Sequence, residues 1–136
     1  MGAWSHEPFG NDTAADWAHG LDASKDLSYI EAAIDAVFTE GADYLDASIA
    51  EEAIAAVEVL AKLLGKGTQV DAYTESADIW VATQSLVPSP DLRAKAVRAL
   101  DSIVAGESEL AELWGEGGES DAWEASVKQL RAAMNG

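Results

Sequence analysis

Cysteine is absent from this 136-residue chain, which excludes disulfides, thiolate zinc sites and cysteine nucleophiles outright. A domain that manages without disulfides suits a reducing compartment. Histidine is nearly as scarce, with only His6 and His19, and no serine sits in a Gly-x-Ser-x-Gly elbow, so nucleophilic catalysis has little to work with. No glycine-rich phosphate loop is present. Gly115-Glu116-Gly117-Gly118 lacks the lysine of such a loop and carries an acid, which reads as a joint between helices. No apolar run approaches the ~20 residues a membrane span requires. The opening Met-Gly-Ala-Trp-Ser-His-Glu-Pro has neither the basic start nor the apolar stretch of a secretory signal. Gly2 is followed by His6 where a myristoylation site takes Ser or Thr. Asn11-Asp12-Thr13 spells a glycosylation sequon, but one without an export signal. The expectation is a cytoplasmic protein.

Basic residues are the other scarcity. Eight stand against 25 acids, a formal net charge of −17. The imbalance is uneven: residues 1–60 hold thirteen acids and a single base, Lys25. Such a field repels nucleic acid and anionic membranes and attracts basic proteins. The plainer reading is that acidity only keeps the protein soluble.

What is plentiful is helical spacing. Apolar residues follow the 3.6-residue period almost throughout, and alternating strand patterns are rare. The length suits one domain over 1–136, with roughly two-thirds of its surface buried. Residues 1–12 read as an irregular plug anchored by Trp4 and Phe9. Asn11, Asp12 or Thr13 caps a first helix bearing Ala14, Trp17, Ala18 and Leu21, with Thr13 and Asp16 approximating a capping box and Gly20 shortening the helix. A second helix opens at Ser28, boxed with Glu31, buries Ile30, Ile34, Val37 and Phe38, and ends at Gly41. The third runs from Asp46 to Gly65 and is apolar on most sides, leaving Glu51, Glu58 and Lys62 as a thin wet edge with Glu58–Lys62 as an i,i+4 pair. A helix of that kind belongs in the middle of a bundle. A fourth follows Asp71 with Tyr73, Ala77, Trp80 and Val81 on its apolar side. Ser89-Pro90-Asp91 is the strongest helix start in the chain and opens a fifth helix that closes at Gly106. A short sixth segment spans Ser108 to Trp114, and residues 115–119 form the Gly-rich joint. Ser120 then caps a last helix with Trp123, Val127, Leu130 and Met134 inside and a Glu124–Lys128 pair outside. The fold class expected is all-α, a bundle or array of six to seven helices.

Few constellations could carry chemistry. Asp12, Asp16 and His19, at i, i+4 and i+7, would line one helix face, with His6 or Glu7 reaching in from the preceding loop. Oxygen and imidazole ligands at that spacing could hold zinc, manganese or iron for a metal-assisted hydrolase. No second His-x-x-x-His pair supports them, so no metal or other cofactor is expected. Paired carboxylates such as Glu31/Asp35, Glu51/Glu52 and Asp43/Asp46 arise by chance in a chain this acidic. Five tryptophans are many for this length. Most read as locks between helix ends and core. Trp4 and Trp114, at irregular or helix-end positions, are candidate interface anchors.

Met1-Gly2-Ala3-Trp4, followed by Pro8-Phe9-x-Asn11-Asp12-x-Ala14-x-Asp16-Trp17, resembles the opening of a family of small acidic bacterial proteins filed as a domain of unknown function. Leu110-Ala111-Glu112-Leu113-Trp114 and the Trp123 helix are similar to that family's closing segment. The resemblance implies a bacterial, intracellular helical protein and brings no activity, cofactor or catalytic residue with it.

Two function classes follow from the residues. One is an acidic interaction module docking a basic protein, most concretely an immunity protein that neutralises a nuclease toxin. The other is the hydrolase built on Asp12, Asp16 and His19. For the first, the contact is expected on the outer side of the second helix and the loop after it, through Glu31, Asp35, Glu40, Asp43 and Asp46, with Tyr44 as an aromatic anchor. These acids have no base near them in sequence. A solvated acidic face would look the same.

Overall fold

The computed structural model describes residues 5–40, 43–105, 107–118 and 120–135. Its described residues form seven α-helices: α1 (Asp12–Ala18), α2 (Ser28–Glu40), α3 (Ala47–Leu63), α4 (Glu75–Ala82), α5 (Pro90–Ile103), α6 (Glu109–Glu116) and α7 (Ser120–Ala133). There is no strand among them, and the fold is the all-α bundle the periodicity predicts. Helix α3 is the hub. It packs against α1, α2, α4, α5, α6 and α7, and Ala50, Ala53–Ala56, Val57, Val59, Leu60 and Ala61 are all buried. Its alanines let neighbours approach closely from several sides. Ile54, Val57, Val59 and Leu60 supply the apolar area, each contributing about 1.5–3 kcal/mol.

The helix ends show how local chemistry places the elements. Of the three candidate caps for α1, Asn11 does the work: its side-chain oxygen accepts from the Ala14 amide at 2.8 Å. The chain then tightens into a 3₁₀ segment, His19–Ala23, instead of stopping. Gly20 is there for a different reason: a Cβ at this position would run into the Tyr29 hydroxyl. Tyr29 stacks on Trp17 with ring centroids 5.0 Å apart, and its hydroxyl donates to the Trp17 carbonyl. Asp26, not a Ser28–Glu31 box, caps α2 by accepting from the Ser28 amide at 3.0 Å. Asp46 caps α3. The far end of α3 closes in the left-handed turn expected of Gly65, with φ +76° and the Lys66 amide donating to the Ala61 carbonyl at 2.8 Å. Asp71 caps a 3₁₀ turn over Ala72–Thr74, so α4 starts later than its spacing suggests and Tyr73 is left exposed. Ser89 accepts from Leu92 at 3.1 Å at the head of α5, as read. Helix α6 runs through Gly115 to Glu116, which shortens the joint before α7.

Glu58 and Lys62 overturn the reading of a wet edge. Glu58 is fully buried. Its carboxylate accepts from the Thr68 amide at 2.9 Å, the Thr68 hydroxyl at 2.8 Å and the Gln69 amide at 2.9 Å. The Lys62 ammonium lies 3.6 Å from Glu58 and 2.7 Å from Asp78 and donates to the Gln69 carbonyl. Gln69 in turn accepts from the Phe9 amide at 2.8 Å and donates to Asp71 at 3.0 Å. Thr74 donates to Asp78 at 2.7 Å. Gly67 leaves the space for this closure, since a Cβ there would press on the Lys62 stem at 2.8 Å. Burial pushes the Glu58 carboxyl above its ordinary range while the donated hydrogen bonds pull it back. Phe38 is a second correction. It is 39% exposed, on the rim of the stripe it was expected to complete.

Replacing Glu58 by Leu strands buried donors on Thr68, Gln69 and Lys62. The expected loss is about 3–5 kcal/mol in urea denaturation, with Glu58→Gln intermediate because the amide keeps one acceptor. A loss below about 1 kcal/mol for Glu58→Leu would show that the 65–71 loop is held by other contacts.

Candidate interaction site

The acidic residues expected to form one face fall into two groups. Glu31 and Asp35 lie on the side of α2 that meets α5. Lys95 reaches across from α5 and donates to Glu31 at 2.6 Å and to Asp35 at 2.7 Å. The expectation that they lack a nearby base is therefore corrected. Their partner is 64 and 60 residues away in sequence, brought close by helix packing. Those two hydrogen bonds raise the affinity of Lys95 for its proton, and the bridge uses both carboxylates to join two helices.

The other group gathers neighbours that no local pattern announces. The Leu45 amide donates to the Glu107 carbonyl, and the Glu109 amide donates to the Leu45 carbonyl, both at 2.9 Å. This two-bond clasp brings the loop before α3 against the start of α6. Asp43 and Asp46, both exposed, are thereby joined by Glu107, Glu109 and Glu112, while Glu40, also exposed, is the last residue of α2. Glu109 turns back to accept from the Ala47 amide at 2.8 Å, so a carboxylate of one helix caps the first turn of another. Tyr44 is 43% exposed and donates its hydroxyl to Glu112 at 2.7 Å. That bond, with Glu109 and Glu107 nearby, pushes the phenol up to about 12. On α3, Glu51 is raised by burial, opposed by a hydrogen bond from Thr13 and reinforced by Glu109 and Asp12. Glu51 thus lies within reach of acids from both the clasp and the start of α1.

The ion pairs among the described residues join Lys62 to Glu58 and Asp78, Lys95 to Glu31 and Asp35, and Arg131 to Asp101. None involves an acid of the clasp. The expected Glu124–Lys128 pair is not among them.

The family model described as Domain of unknown function (DUF4259) matches residues 2–126. The chain belongs to this family. No curated protein and no solved structure matches it. Membership of the DUF4259 family carries no activity with it, so function has to be read from the residues themselves.

Among those residues, the proposed metal ligands do not assemble. Asp12, Asp16 and His19 are each exposed, and no group of three His, Asp or Glu side chains converges among the described residues. Asp12 lies in the first turn of α1 and His19 at its end, so the i, i+4, i+7 register exists without a pocket to close it. Of the two candidate interface aromatics, Trp114 is not exposed. Trp114 is buried on α6, facing Trp123 and Pro8 across a small cavity, because α6 lies flat on the hub. Trp4 lies outside the described residues. No helix among the described residues is long and apolar enough to cross a membrane.

Spectrophotometric titration should find the Tyr44 phenol ionising at about 12, against an ordinary 10.0. In Glu112→Gln it should fall back toward that ordinary value. The folded phenol holds its proton more tightly than the unfolded one, so the contact stabilises the clasp below pH 10 and is lost as pH rises through about 12. A Tyr44 titration unchanged by Glu112→Gln would remove this bond from the site.

Proposed function

We propose that this member of the DUF4259 family is an acidic interaction module that docks a basic protein, most concretely an immunity-type protein that neutralises a nuclease toxin inside the cell. The observation that carries this reading is the clasp at Leu45. It concentrates Asp43, Asp46, Glu107, Glu109 and Glu112 around an exposed tyrosine, with Glu40 at the end of α2 and no base paired to any of them among the described residues. A surface of one sign, left uncompensated, steers an oppositely charged partner and accelerates encounter by ~10–10³. Tyr44 adds the residue type that binding hot spots favour, already held in place by Glu112. Glu31 and Asp35 belong to the fold in this reading, since Lys95 occupies them. The hydrolase reading has no comparable support, because its three ligands share only a helix register.

The test uses Glu40→Lys/Asp43→Lys/Glu107→Lys. No side-chain hydrogen bond or ion pair of these three residues is described, so reversal changes charge while sparing the clasp. The partner tested is the product of the adjacent gene, purified and mixed with it in stopped flow. The expected result is association slowed at least about tenfold at low salt, converging with the unmodified protein as salt is raised, with helicity and melting unchanged. Equal association rates at low salt would move the contact off this surface. Absence of any complex with the neighbouring gene product would defeat the immunity form.

A further inference from the structure

A groove of about 410 Å³ opens between α1, α2 and α3, lined by Asp16, Trp17, Tyr29, Ala32, Ala33, Ala36 and Glu52. Its chemistry is specific. Ala32, Ala33 and Ala36 stand on the side of α2 opposite Glu31 and Asp35, and their small side chains leave the helix surface low. Tyr29 forms one wall and is not free to swing: it stacks on Trp17, its hydroxyl is committed to the Trp17 carbonyl, and Gly20 provides the clearance. Asp16 enters from α1 and Glu52 from α3. Among the described residues no hydrogen bond or ion pair of either carboxylate is found, although Glu52 is half-buried. A partly desolvated carboxylate such as Glu52 with no counter-ion among the described residues is unusual, and here it and the exposed Asp16 flank one aromatic wall. Burial raises the Glu52 carboxyl, consistent with a charge that lacks a partner.

We propose that this groove receives one arginine side chain of the basic partner. A guanidinium is flat enough to lie against Tyr29, cationic enough to answer Asp16 and Glu52, and its forked donors serve two carboxylates at once. Its aliphatic stem would cross the alanine floor. The groove also lies where the proposed docking surface leads. Glu52 is six residues along α3 from Asp46, about 9 Å of helical rise, and its neighbour Glu51 feels the charges of Glu109 and Asp12. This inference rests on the reading of the protein as a binder of basic partners, but it specifies a separate pocket that can be tested without that partner.

The probe is Nα-acetyl-arginine-N-methylamide, titrated into the full chain and followed by amide and indole NMR shifts. The expected result is saturable shifts at the Trp17 indole and the Ala32–Ala36 amides with Kd on the order of 1–10 mM. The matching citrulline derivative, of the same shape without charge, should bind at least about fivefold more weakly. Glu52→Gln should weaken binding by a similar factor. Ala36→Leu, which fills the groove and leaves charge unchanged, should abolish it, with circular dichroism showing both variants folded. The Glu40→Lys/Asp43→Lys/Glu107→Lys protein should still bind the probe. A failed partner assay beside intact probe binding therefore sinks the docking surface and not the pocket. Shifts that do not saturate by about 50 mM, equal binding of the citrulline derivative, or shifts centred on residues 43–46 would each overturn the proposal.

Discussion

The bundle depends on a buried carboxylate. Without Glu58 the 65–71 loop would present the Thr68 and Gln69 amides and the Thr68 hydroxyl to an apolar interior, each an unmet donor costing about 1–3 kcal/mol. With it, one side chain on the hub helix ties down the return of the chain from α3 to α4. The network does not end there. Lys62 balances its charge and reaches Asp78 on α4, while Gln69 holds the amide of Phe9. The N-terminal segment, the hub and the fourth helix are thereby joined through polar groups that each find a partner. A buried network of this kind specifies one arrangement strongly because a half-formed version is worse than none.

The same economy of charge explains the surface. With so few bases, each committed cation leaves part of the molecule uncompensated. Lys62 goes inward, Lys95 bridges α2 to α5 and Arg131 pairs with Asp101. What relieves crowding at the clasp is backbone chemistry instead of lysine. The isolated bridge at Leu45 and Ser108 brings together the N-termini of α3 and α6, whose unpaired amides favour negative charge. Glu109 on Ala47 and Asp46 on Ser48 use those amides directly. Part of the acidity is therefore structural, and only Glu40, Asp43 and Glu107 are acids of this surface with no such work described.

Much of the fold was legible because its signals are local. A 3.6-residue period, a serine before a proline, and a glycine after the last apolar turn each act within one helix, so all seven helices and the hub role of α3 could be read directly. What escaped was set by distance. Lys95 answers carboxylates some sixty positions away. Glu58 looks like any surface glutamate at an i,i+4 spacing from a lysine. Only the later Gly-Thr-Gln stretch, folded back onto α3, makes it interior. Trp114 seemed exposed for being at a helix end, yet α6 lies on the core along its length. At the candidate site, Asp43, Tyr44 and Asp46 were found from charge and position, whereas Glu107, Glu109 and Glu112 were missed because the clasp is a pair of backbone bonds with no side-chain signature. Tyr29 and Gly20 carried a faint signal, an aromatic and a glycine nine residues apart, too common to single out.

Helix α3 separates these two tasks along its own length. Glu58 and Lys62 occupy its C-terminal half, where burial and hydrogen bonding make any change expensive. Asp46, Glu51 and Glu52 occupy its N-terminal half, about 18 Å of rise from Asp46 to Glu58. That separation exceeds a Debye length at physiological salt, so surface charge at one end acts weakly on the exposed groups at the other. The hub can therefore hold a dense, self-repelling acidic surface at its head because the contacts that stabilise it are at its foot. Moving Glu58 two turns toward the N-terminus would cut that rise to about 7 Å, inside a Debye length, and its buried charge would then repel the acids around the clasp as well as fix the loop.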